Sequence, residues 1–424
     1  MDDSHLRVAI LGINYAPEKS GIAPYTTGLA RGLVDAGHFV RVLTSRPHYP
    51  EWQVPEDYRH GRDREIVDGV HVRRLTHYMP SKPTGARRTL FELAYGAGVS
   101  TAAWGHPDVV ICVSPALLSS AAAIARARTL QHRPAVGLIV QDLYSRGVVE
   151  TGMGGGPLSR AATRLESSVL QSCDGVVAIH DRFKRQMVER LGVDEARISV
   201  IRNWTHVPPI ENFNQAGFRR EMGWETDETI VLHAGAMGAK QALENVVEAA
   251  RLADATNSHI RFVLLGDGSR RRSLEDLADG VKSIQFLDPL EAEGFGRALR
   301  TADVLLVNEK PGVTEMAVPS KLTSYFSSCR PVLAATDAGS TTAEEIAASG
   351  GGIRVDAGNP AALLAAAQRL ALDHEEAAAL GENGKRYCLD VLSESHAIRD
   401  YDHWVRGLAA NRNAEKNAEK AAYV

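Results

Sequence analysis

A strand, a glycine-containing loop and a helix are predicted in succession at Ile230–Ala250, just past the middle of the chain. The apolar run Ile230–Ala234 enters a loop that carries Gly235, Gly238 and Lys240, and apolar residues then recur at helical spacing. Glycines allow backbone N–H groups to approach a phosphate closely, and a helix N-terminus favours its negative charge. The segment therefore predicts a phosphate-binding loop, to which Lys240 adds a mobile cation.

Apolar strands alternate with helical patterns in both halves of the 424-residue chain. The predicted strands are Leu6–Ile13, Val40–Thr44, Val70–Leu75, Val109–Val113, Ala135–Gln141, Val176–Ile179, Ile198–Ile201, Ile230–Ala234, Ile260–Leu265, Ile284–Leu287, Val304–Asn308, Val332–Ala335 and Gly352–Val355. Such alternation predicts an α/β fold of parallel sheets covered by helices on both faces. Two doubly wound, Rossmann-like domains are therefore expected in tandem, facing across a cleft that holds the site.

The predicted boundaries place an N-terminal domain at residues 1–205, a proline-containing linker at 206–216 and a C-terminal domain at 217–395. A helix and tail follow at 396–424, and whether they return to the N-terminal domain is left open. Asn411–Val424 contains good helix formers but almost no apolar face. A frayed helix or disorder is therefore expected there.

The composition excludes several classes of protein. A net charge of -4 argues against a nucleic-acid binder, which normally has a basic excess. The four cysteines have neither metal-ligand nor redox spacing and fit a reducing cytoplasm. The N-terminus is acidic before its apolar run, unlike a signal peptide, and no apolar stretch is long enough to span a bilayer. A cytoplasmic protein is expected.

Several short motifs together resemble one enzyme family. They are Tyr15–Ile22, Leu29–Leu33, Gly37–His38, Gln141–Leu143, Val200–Asn203, Gly235–Lys240, Gly266–Gly268, Val318–Leu322 and Arg330–Val332. In this combination the chain resembles the retaining glycosyltransferases of family 4, which have the two-domain GT-B fold. The sequences Gln-Asp-Leu, Asn-Trp and Pro-Ser-Lys are most similar to the subgroup that builds colanic-acid-type exopolysaccharides.

The resemblance implies that the C-terminal domain binds a nucleotide-diphosphate sugar and the N-terminal domain a glycan or lipid-linked acceptor. The implied catalytic residues are Lys240, Gln141, Asp142 and Glu315. The implied donor-binding residues are Gly21, Gly235, Met237, Gly238, Lys240, Gly266, Gly268, Asp288, Leu290, Pro319, Ser320, Lys321 and Ser324, and the implied acceptor-side residues are Tyr15, Ser20 and Asn203. Taken singly, Gly21 also fits an ordinary strand–helix turn, Ser320 a helix N-cap and Lys321 a solvated charge.

Four positions depart from the family pattern. Ala236 stands where an Arg or Asn usually follows the first glycine of the donor loop, and Met316 and Ser324 occupy the positions of two usual glutamates. Gln141 replaces a histidine, so this side chain can donate a hydrogen bond but cannot titrate. A nucleotide-sugar epimerase on the same fold and a non-catalytic nucleotide-sugar-binding protein therefore remain alternatives. A dehydrogenase is disfavoured, because neither glycine loop is a complete G-x-G-x-x-G.

No cofactor and no metal ion are expected. No predicted loop carries the Asp-x-Asp of metal-dependent sugar transferases, and lysines with helix dipoles can neutralise a leaving diphosphate instead. The implied retaining mechanism is a front-side attack, in which the leaving phosphate oxygen takes the proton of the acceptor hydroxyl. Such a reaction needs positioning and charge stabilisation more than a side-chain base.

One segment raises the question of a membrane. Lys82–Trp104 places basic residues ahead of an apolar, aromatic helix. Two interpretations stay open: peripheral contact with the inner face of the plasma membrane, and a helix buried against the sheet.

Overall fold

A computed structural model describes residues 5–18, 21–82, 84–143, 157–205, 210, 213–312 and 320–422, with only the backbone of 157, 158, 320, 419, 420 and 422. The chain divides into two compact units. The first comprises residues 1–203 and 394–424, and the second comprises residues 204–393.

The first unit is a sheet of eight strands in the order β3-β4-β2-β1-β5-β6-β7-β8. Its strands are β1 (Arg7–Leu11), β2 (Phe39–Ser45), β3 (Arg64–Val67), β4 (Val70–Leu75), β5 (Val109–Val113), β6 (Ala135–Val140), β7 (Gly175–Ala178) and β8 (Ile198–Val200). Its helices are α1 (Ala23–Asp35), α2 (Glu56–Arg59), α3 (Gly85–Thr101), α4 (Leu117–Thr129), α5 (Pro157–Gln171), α6 (Asp181–Leu191) and α15 (Glu394–Ala422). The central strands β5 and β6 are buried along their whole length, which is why they read as continuous apolar runs.

Sequence periodicity missed the edge strand β3. This four-residue strand pairs antiparallel with β4, whereas the other neighbouring strands of the sheet are parallel. Alternate residues of β3 are exposed, so it lacks the apolar run of a central strand.

The second unit is a six-stranded parallel sheet in the order β11-β10-β9-β12-β13-β14. Its strands are β9 (Thr229–Ala234), β10 (Ile260–Leu265), β11 (Ile284–Leu287), β12 (Val304–Asn308), β13 (Val332–Ala335) and β14 (Gly352–Val355). Its helices are α7 (Gln215–Glu221), α8 (Glu244–Ala255), α9 (Arg271–Leu277), α10 (Ala292–Thr301), α11 (Ser320–Ser327), α12 (Thr341–Ser349), α13 (Pro360–Leu372) and α14 (His374–Val391). Helices on both faces bury two apolar clusters against this sheet. The predicted α/β architecture is therefore confirmed.

The C-terminal helix α15 belongs to the first unit. A Cβ built on Gly137 of β6 would meet the Trp404 ring at 2.3 Å, so glycine is required where this helix crosses the strand. Helix α15 continues to Ala422, and Arg412 near its end is buried and donates to the carbonyl of Arg133. The described part of the predicted tail, up to Ala422, is helical rather than disordered. Arg412 is buried, whereas most of the residues after it are exposed, so fraying of this end stays a prediction.

Helix α3 buries one face and exposes the other. Phe91, Tyr95 and Val99 are buried, whereas Leu90 and Leu93 are about half exposed. Among the described residues, no helix combines the length and apolar character that crossing a membrane requires.

Candidate functional site

The strand order of the second unit reverses between β9 and β12, which marks the place where ligands bind in open α/β sheets. The loops that follow these two strands are tied together. The backbone N–H of Lys310 donates to the carbonyl of Lys240 at 2.9 Å, and the Asn308 side chain donates to the carbonyl of Gln241 at 2.7 Å. The predicted donor loop Gly235–Lys240 therefore lies at the switch point of the sheet.

Three glycines of the predicted donor site allow two loops to pack backbone against backbone. Gly235 has a φ of 130°, which disfavours any other residue. A Cβ on Gly266 would lie 2.1 Å from the carbonyl oxygen of Gly235, and one on Gly268 would lie 2.4 Å from that of Met237. The structure thus gives Gly266 and Gly268 a packing role. The Met237 side chain is fully buried, and its N–H and C=O are bonded to Asp267 and Arg270.

Helix α11 directs Lys321 towards the donor loop. One turn along the helix, the buried Tyr325 hydroxyl accepts from the N–H of Ala234 at 2.8 Å and lies 3.3 Å from the carbonyl of Leu306. This contact fixes α11 to β9 and β12 at the switch point. Residues four apart share a helix face, and Lys321 Nζ accordingly lies 3.8 Å from a Cβ position built on Gly235.

The cation at this position is electrostatically unusual. Burial lowers the pKa of the Lys321 ammonium to about 8, although the nearby Glu309 carboxylate acts in the opposite direction. Burial and the Lys321 charge together hold the pKa of His233 well below its usual range, so this imidazole is neutral. Its Nε2 lies 3.4 Å from Lys321 Nζ. A poorly solvated ammonium beside a neutral ring is well suited to an anion.

Sequence reasoning missed Glu309 and Tyr325, which both help to organise this edge. Glu309 follows β12 directly, and Thr342 Oγ1 donates to its carboxylate at 2.6 Å, while Thr336 Oγ1 donates to the other carboxylate oxygen. A polar residue immediately after a central strand was the available signal for Glu309. His233, read from the sequence as a core or cleft residue, is fully buried.

The remaining predicted donor residues occupy varied surroundings. The N–H of Gly238 donates to the Gln241 side chain at 3.0 Å, and Lys240 is exposed at the loop surface. The exposed Asp288 pairs with Arg271 at 2.7 Å. Half-buried Leu290 packs against an apolar cluster, and Ser324 is buried at 4% exposure.

In the first unit, the structure brings Gln141 and Asn203 together. Their side-chain amides form two reciprocal hydrogen bonds of 2.8 and 3.2 Å at the ends of β6 and β8. Asp142 is exposed, its carboxylate accepts from the N–H of Leu143, and its carbonyl accepts from Ser114 Oγ at 3.1 Å. This places polar groups at the carboxyl edge of the first sheet.

Other predicted residues contribute differently. Gly21 has a φ of 64° in the turn before α1, and a Cβ there would lie 3.2 Å from the Tyr49 ring. Tyr15 is 2% exposed, and burial raises the pKa of its hydroxyl, so its ring is part of the core. Ser20, Glu315 and Pro319 lie outside the described residues, as does the side chain of Ser320, whose backbone begins α11.

One Asp-x-Asp sequence is present, Asp400-Tyr401-Asp402, and it lies inside helix α15. Asp402 bonds His38 at 2.6 Å and Arg406 at 3.0 Å, and these contacts hold the pKa of its carboxyl below the usual range against the effect of burial. In the described part of the chain, no three His, Cys, Asp or Glu side chains are grouped so as to hold a metal ion. Metal independence stays a prediction.

Comparisons with known proteins cover both units. A family model described as a glycosyl transferase 4-like domain matches residues 20–204, and one described as glycosyl transferases group 1 matches residues 228–373. The chain is 30% identical over 341 residues to the putative colanic acid biosynthesis glycosyl transferase WcaI of Escherichia coli, covering 76% of this chain and 81% of that protein.

Solved structures show the same fold. Sucrose-phosphate synthase from Thermosynechococcus elongatus matches with a TM-score of 0.72 at 18% identity, over 96% of this chain and 100% of that one. The Anabaena protein Alr3699/HepE, solved in complex with UDP-glucose, matches with a TM-score of 0.67 at 13% identity, over 96% of this chain and 100% of that one. The fold of the chain is GT-B.

Proposed function

We propose that this chain, which belongs to the group 1 glycosyltransferases with a 4-like N-terminal domain, transfers a sugar from a nucleotide-diphosphate donor to a glycan or lipid-linked acceptor. The reaction proposed is a retaining, metal-independent hexosyl transfer in the biosynthesis of a cell-surface polysaccharide. The relative from Escherichia coli, named for colanic acid biosynthesis, supports the polysaccharide. The structure with UDP-glucose supports the class of donor.

The position of Lys321 is the observation that carries the proposal. Its ammonium lies beside Gly235, at the end of β9, and its pKa is lowered to about 8 by burial. Burial deprives this ammonium of hydration. A diphosphate bound there would stabilise its charged form. Ala236 has no polar side chain, so the loop residue after Gly235 cannot contact a phosphate through its side chain. We propose that the Lys321 ammonium makes this contact instead.

The mechanism follows from what these groups can do. Lys321 and Lys240 stabilise the charge that develops on the leaving diphosphate. No histidine or carboxylate of the described donor edge is proposed as a base: His233 is buried and Glu309 is bonded by two threonines. The acceptor hydroxyl oxygen is therefore proposed to bond to the anomeric carbon on the face where the bond to the diphosphate breaks, and the leaving phosphate oxygen to take the hydroxyl proton. Attack on that face gives retention.

Helix α3 supports a peripheral location at the inner face of the plasma membrane. Arg87 and Arg88 are exposed in its first turn, and Leu90 and Leu93 are exposed 50% and 51% on the following turns. Basic side chains beside apolar ones favour an anionic lipid surface. Flotation with phosphatidylglycerol vesicles tests this location, with Leu90→Ser/Leu93→Ser as the variant; protein that stays at the bottom contradicts it.

Thermal unfolding with a panel of nucleoside diphosphates and nucleotide-sugars tests the reaction first. A ligand that binds the folded protein raises the melting temperature with concentration. The stabilising nucleotide-sugar is then incubated with acceptors and EDTA, and the product anomer is read by NMR. Lys240→Ala is expected to abolish transfer with the fold intact. An inverted anomer contradicts retention, loss of activity in EDTA contradicts metal independence, and donor binding without transfer supports the non-catalytic alternative.

A further inference from the structure

One face of the first sheet is left without a covering helix near its edge. Arg41 of β2 is paired in register with His71 of β4, and His71 is paired with Ile66 of β3. Side chains alternate along a strand, so Arg73 and Arg64 lie on the same face, two residues along. These residues line a pocket of about 350 Å³, which Ala103, after the end of α3, also borders.

The arginines of this face repel one another in the free protein. Arg64 and Arg73 are directly opposite across the antiparallel β3–β4 pair, where like charges are destabilising. The Arg41 guanidinium extends over the backbone of Gly105, where a Cβ would lie 2.3 Å from its nitrogen. Three guanidinium groups therefore line one shallow pocket.

No carboxylate of the described residues forms an ion pair with any of the three. Glu65 of the same strand also borders the pocket, but its carboxylate pairs with Arg74 at 2.5 Å. A doubly wound sheet normally presents apolar side chains where helices cover it. Among the described residues, this face instead carries guanidinium groups without a carboxylate partner, whose charge an anion would neutralise.

Apolar surface accompanies the charge. Ile66 is 67% exposed and Phe39 is 42% exposed, and the Phe39 ring is tilted against that of His71 with centroids 4.8 Å apart. Sugar rings present C–H groups that pack on such surfaces, and a guanidinium matches a carboxylate in geometry. The pocket is concave and small, so it fits a saccharide unit better than the broad plane of a bilayer.

We propose that this face, defined by Arg41, Arg64, Arg73, Ile66 and His71, is a second saccharide-binding site that holds a carboxylate-bearing segment of a glycan. Arg41 and His71 lie in the N-terminal halves of β2 and β4, whereas Gln141 and Asn203 follow the carboxyl ends of β6 and β8. The choice of a saccharide over another anion rests on the proposed function. The binding itself does not require sugar transfer, so the two proposals fail separately.

Isothermal titration calorimetry in low-salt buffer tests the site with trigalacturonate and, as its neutral counterpart, maltotriose. We expect trigalacturonate to bind the full chain and maltotriose not to. Arg64→Ala/Arg73→Ala should raise the dissociation constant of trigalacturonate at least about tenfold, because charge-assisted hydrogen bonds to its carboxylates are lost. The control Arg220→Ala/Arg272→Ala removes the same charge from exposed positions of the second unit and should change the affinity less than about twofold.

A single exposed substitution guards against misfolding. Arg64→Glu converts the repulsive pair into an attractive one, so it should raise the melting temperature and abolish trigalacturonate binding. Equal binding of maltotriose, equal loss in the control, or full binding by Arg64→Glu overturns the proposal. Binding to phosphatidylglycerol vesicles through these arginines without binding of trigalacturonate also overturns it, because the face would then be a membrane contact.

Discussion

The ammonium of Lys321 lies 3.4 Å from Nε2 of a fully buried, neutral His233. An ammonium can only donate, so while Lys321 is charged the neutral imidazole can only accept a hydrogen bond from it through Nε2. The helix that carries Lys321 is fixed by Tyr325 to the two strands of the switch point. The cation is thus held in place before any ligand arrives.

Lys321→Met is expected to abolish donor binding while raising the free energy of unfolding at pH 7 by about 1–2 kcal/mol, because it removes a poorly solvated charge. In the wild type this cost is present below pH 8, the folded pKa, and is relieved as pH rises towards the unfolded value of 10.5. The rise in stability between these pH values should be missing from the variant. Denaturant unfolding measures the free energy of unfolding at pH 7 and its rise with pH, with exposed Lys282→Met as the control. The same pH dependence of stability in the wild type and in Lys321→Met would contradict the lowered pKa of Lys321.

Donor affinity should fall as Lys321 loses its proton. With a pKa of about 8, the charged fraction drops about tenfold between pH 7 and pH 9, and the dissociation constant of a nucleotide-sugar should rise accordingly. A nucleotide-sugar diphosphate has no titrating oxygen in this range. Lys321→Arg keeps its charge, so its dissociation constant, measured by calorimetry, should not change between pH 7 and pH 9. A wild-type dissociation constant that is equally independent of pH would contradict a contact between Lys321 and the diphosphate.

Gly268→Ala should unfold or distort the donor loop. The new Cβ would lie 2.4 Å from the Met237 carbonyl oxygen. Because this atom belongs to the backbone, overpacking is expected to lower the free energy of unfolding by about 3 kcal/mol. Gly339→Ala is the matched control, because nothing lies within 4 Å of its Cβ position. Similar melting temperatures for the two variants would show that the loops can separate without cost.

Asn203→Ala leaves the buried amide of Gln141 without its partner and should cost about 1–3 kcal/mol of stability. Gln141→Ala/Asn203→Ala should cost less than the sum of the single changes. A double-mutant cycle of urea unfolding measures this coupling. Additive effects would mean that the pair does not act as a unit.

Removal of helix α15 is expected to destabilise the first unit. Trp404 packs directly on Gly137 of β6, and loss of a buried tryptophan costs about 3–5 kcal/mol. Trp404→Ala reproduces this loss with the helix present, and exposed His403→Ala is the control. Hydrogen exchange should show faster exchange in β6 and little change in β12; equal change in both sheets would contradict the assignment of α15 to one unit.

Strand periodicity predicted the architecture well for definite reasons. The strands Val109–Val113, Ile260–Leu265 and Val304–Asn308 were predicted with the bounds that the structure shows, because central parallel strands are apolar on both faces. The strand β3 was missed because its four residues, two of them charged, alternate between exposed and half-buried positions and form no apolar run. Disorder was left open for the end of the chain because helix α15 packs on a sheet that is distant in sequence.

The candidate site was predicted less completely. The glycine loop after β9 was recognisable, since a strand, a glycine and a helix are adjacent in sequence. The packing of Gly266 and Gly268 on that loop was not, and neither was the place of Glu309 beside Lys321. Contacts between residues that follow different strands produce no periodic pattern in the sequence.

The sequence by itself determined the order of strands and helices, and hence two doubly wound units. The reason is that the spacing of apolar residues within each strand or helix is a local property of the sequence. Only the tertiary structure decided which charges act together. The lowered pKa of Lys321, the reciprocal amides of Gln141 and Asn203, and the opposed Arg64 and Arg73 all depend on burial and on distances between remote segments. Those quantities exist only after folding, since desolvation and Coulomb energy depend on position in space.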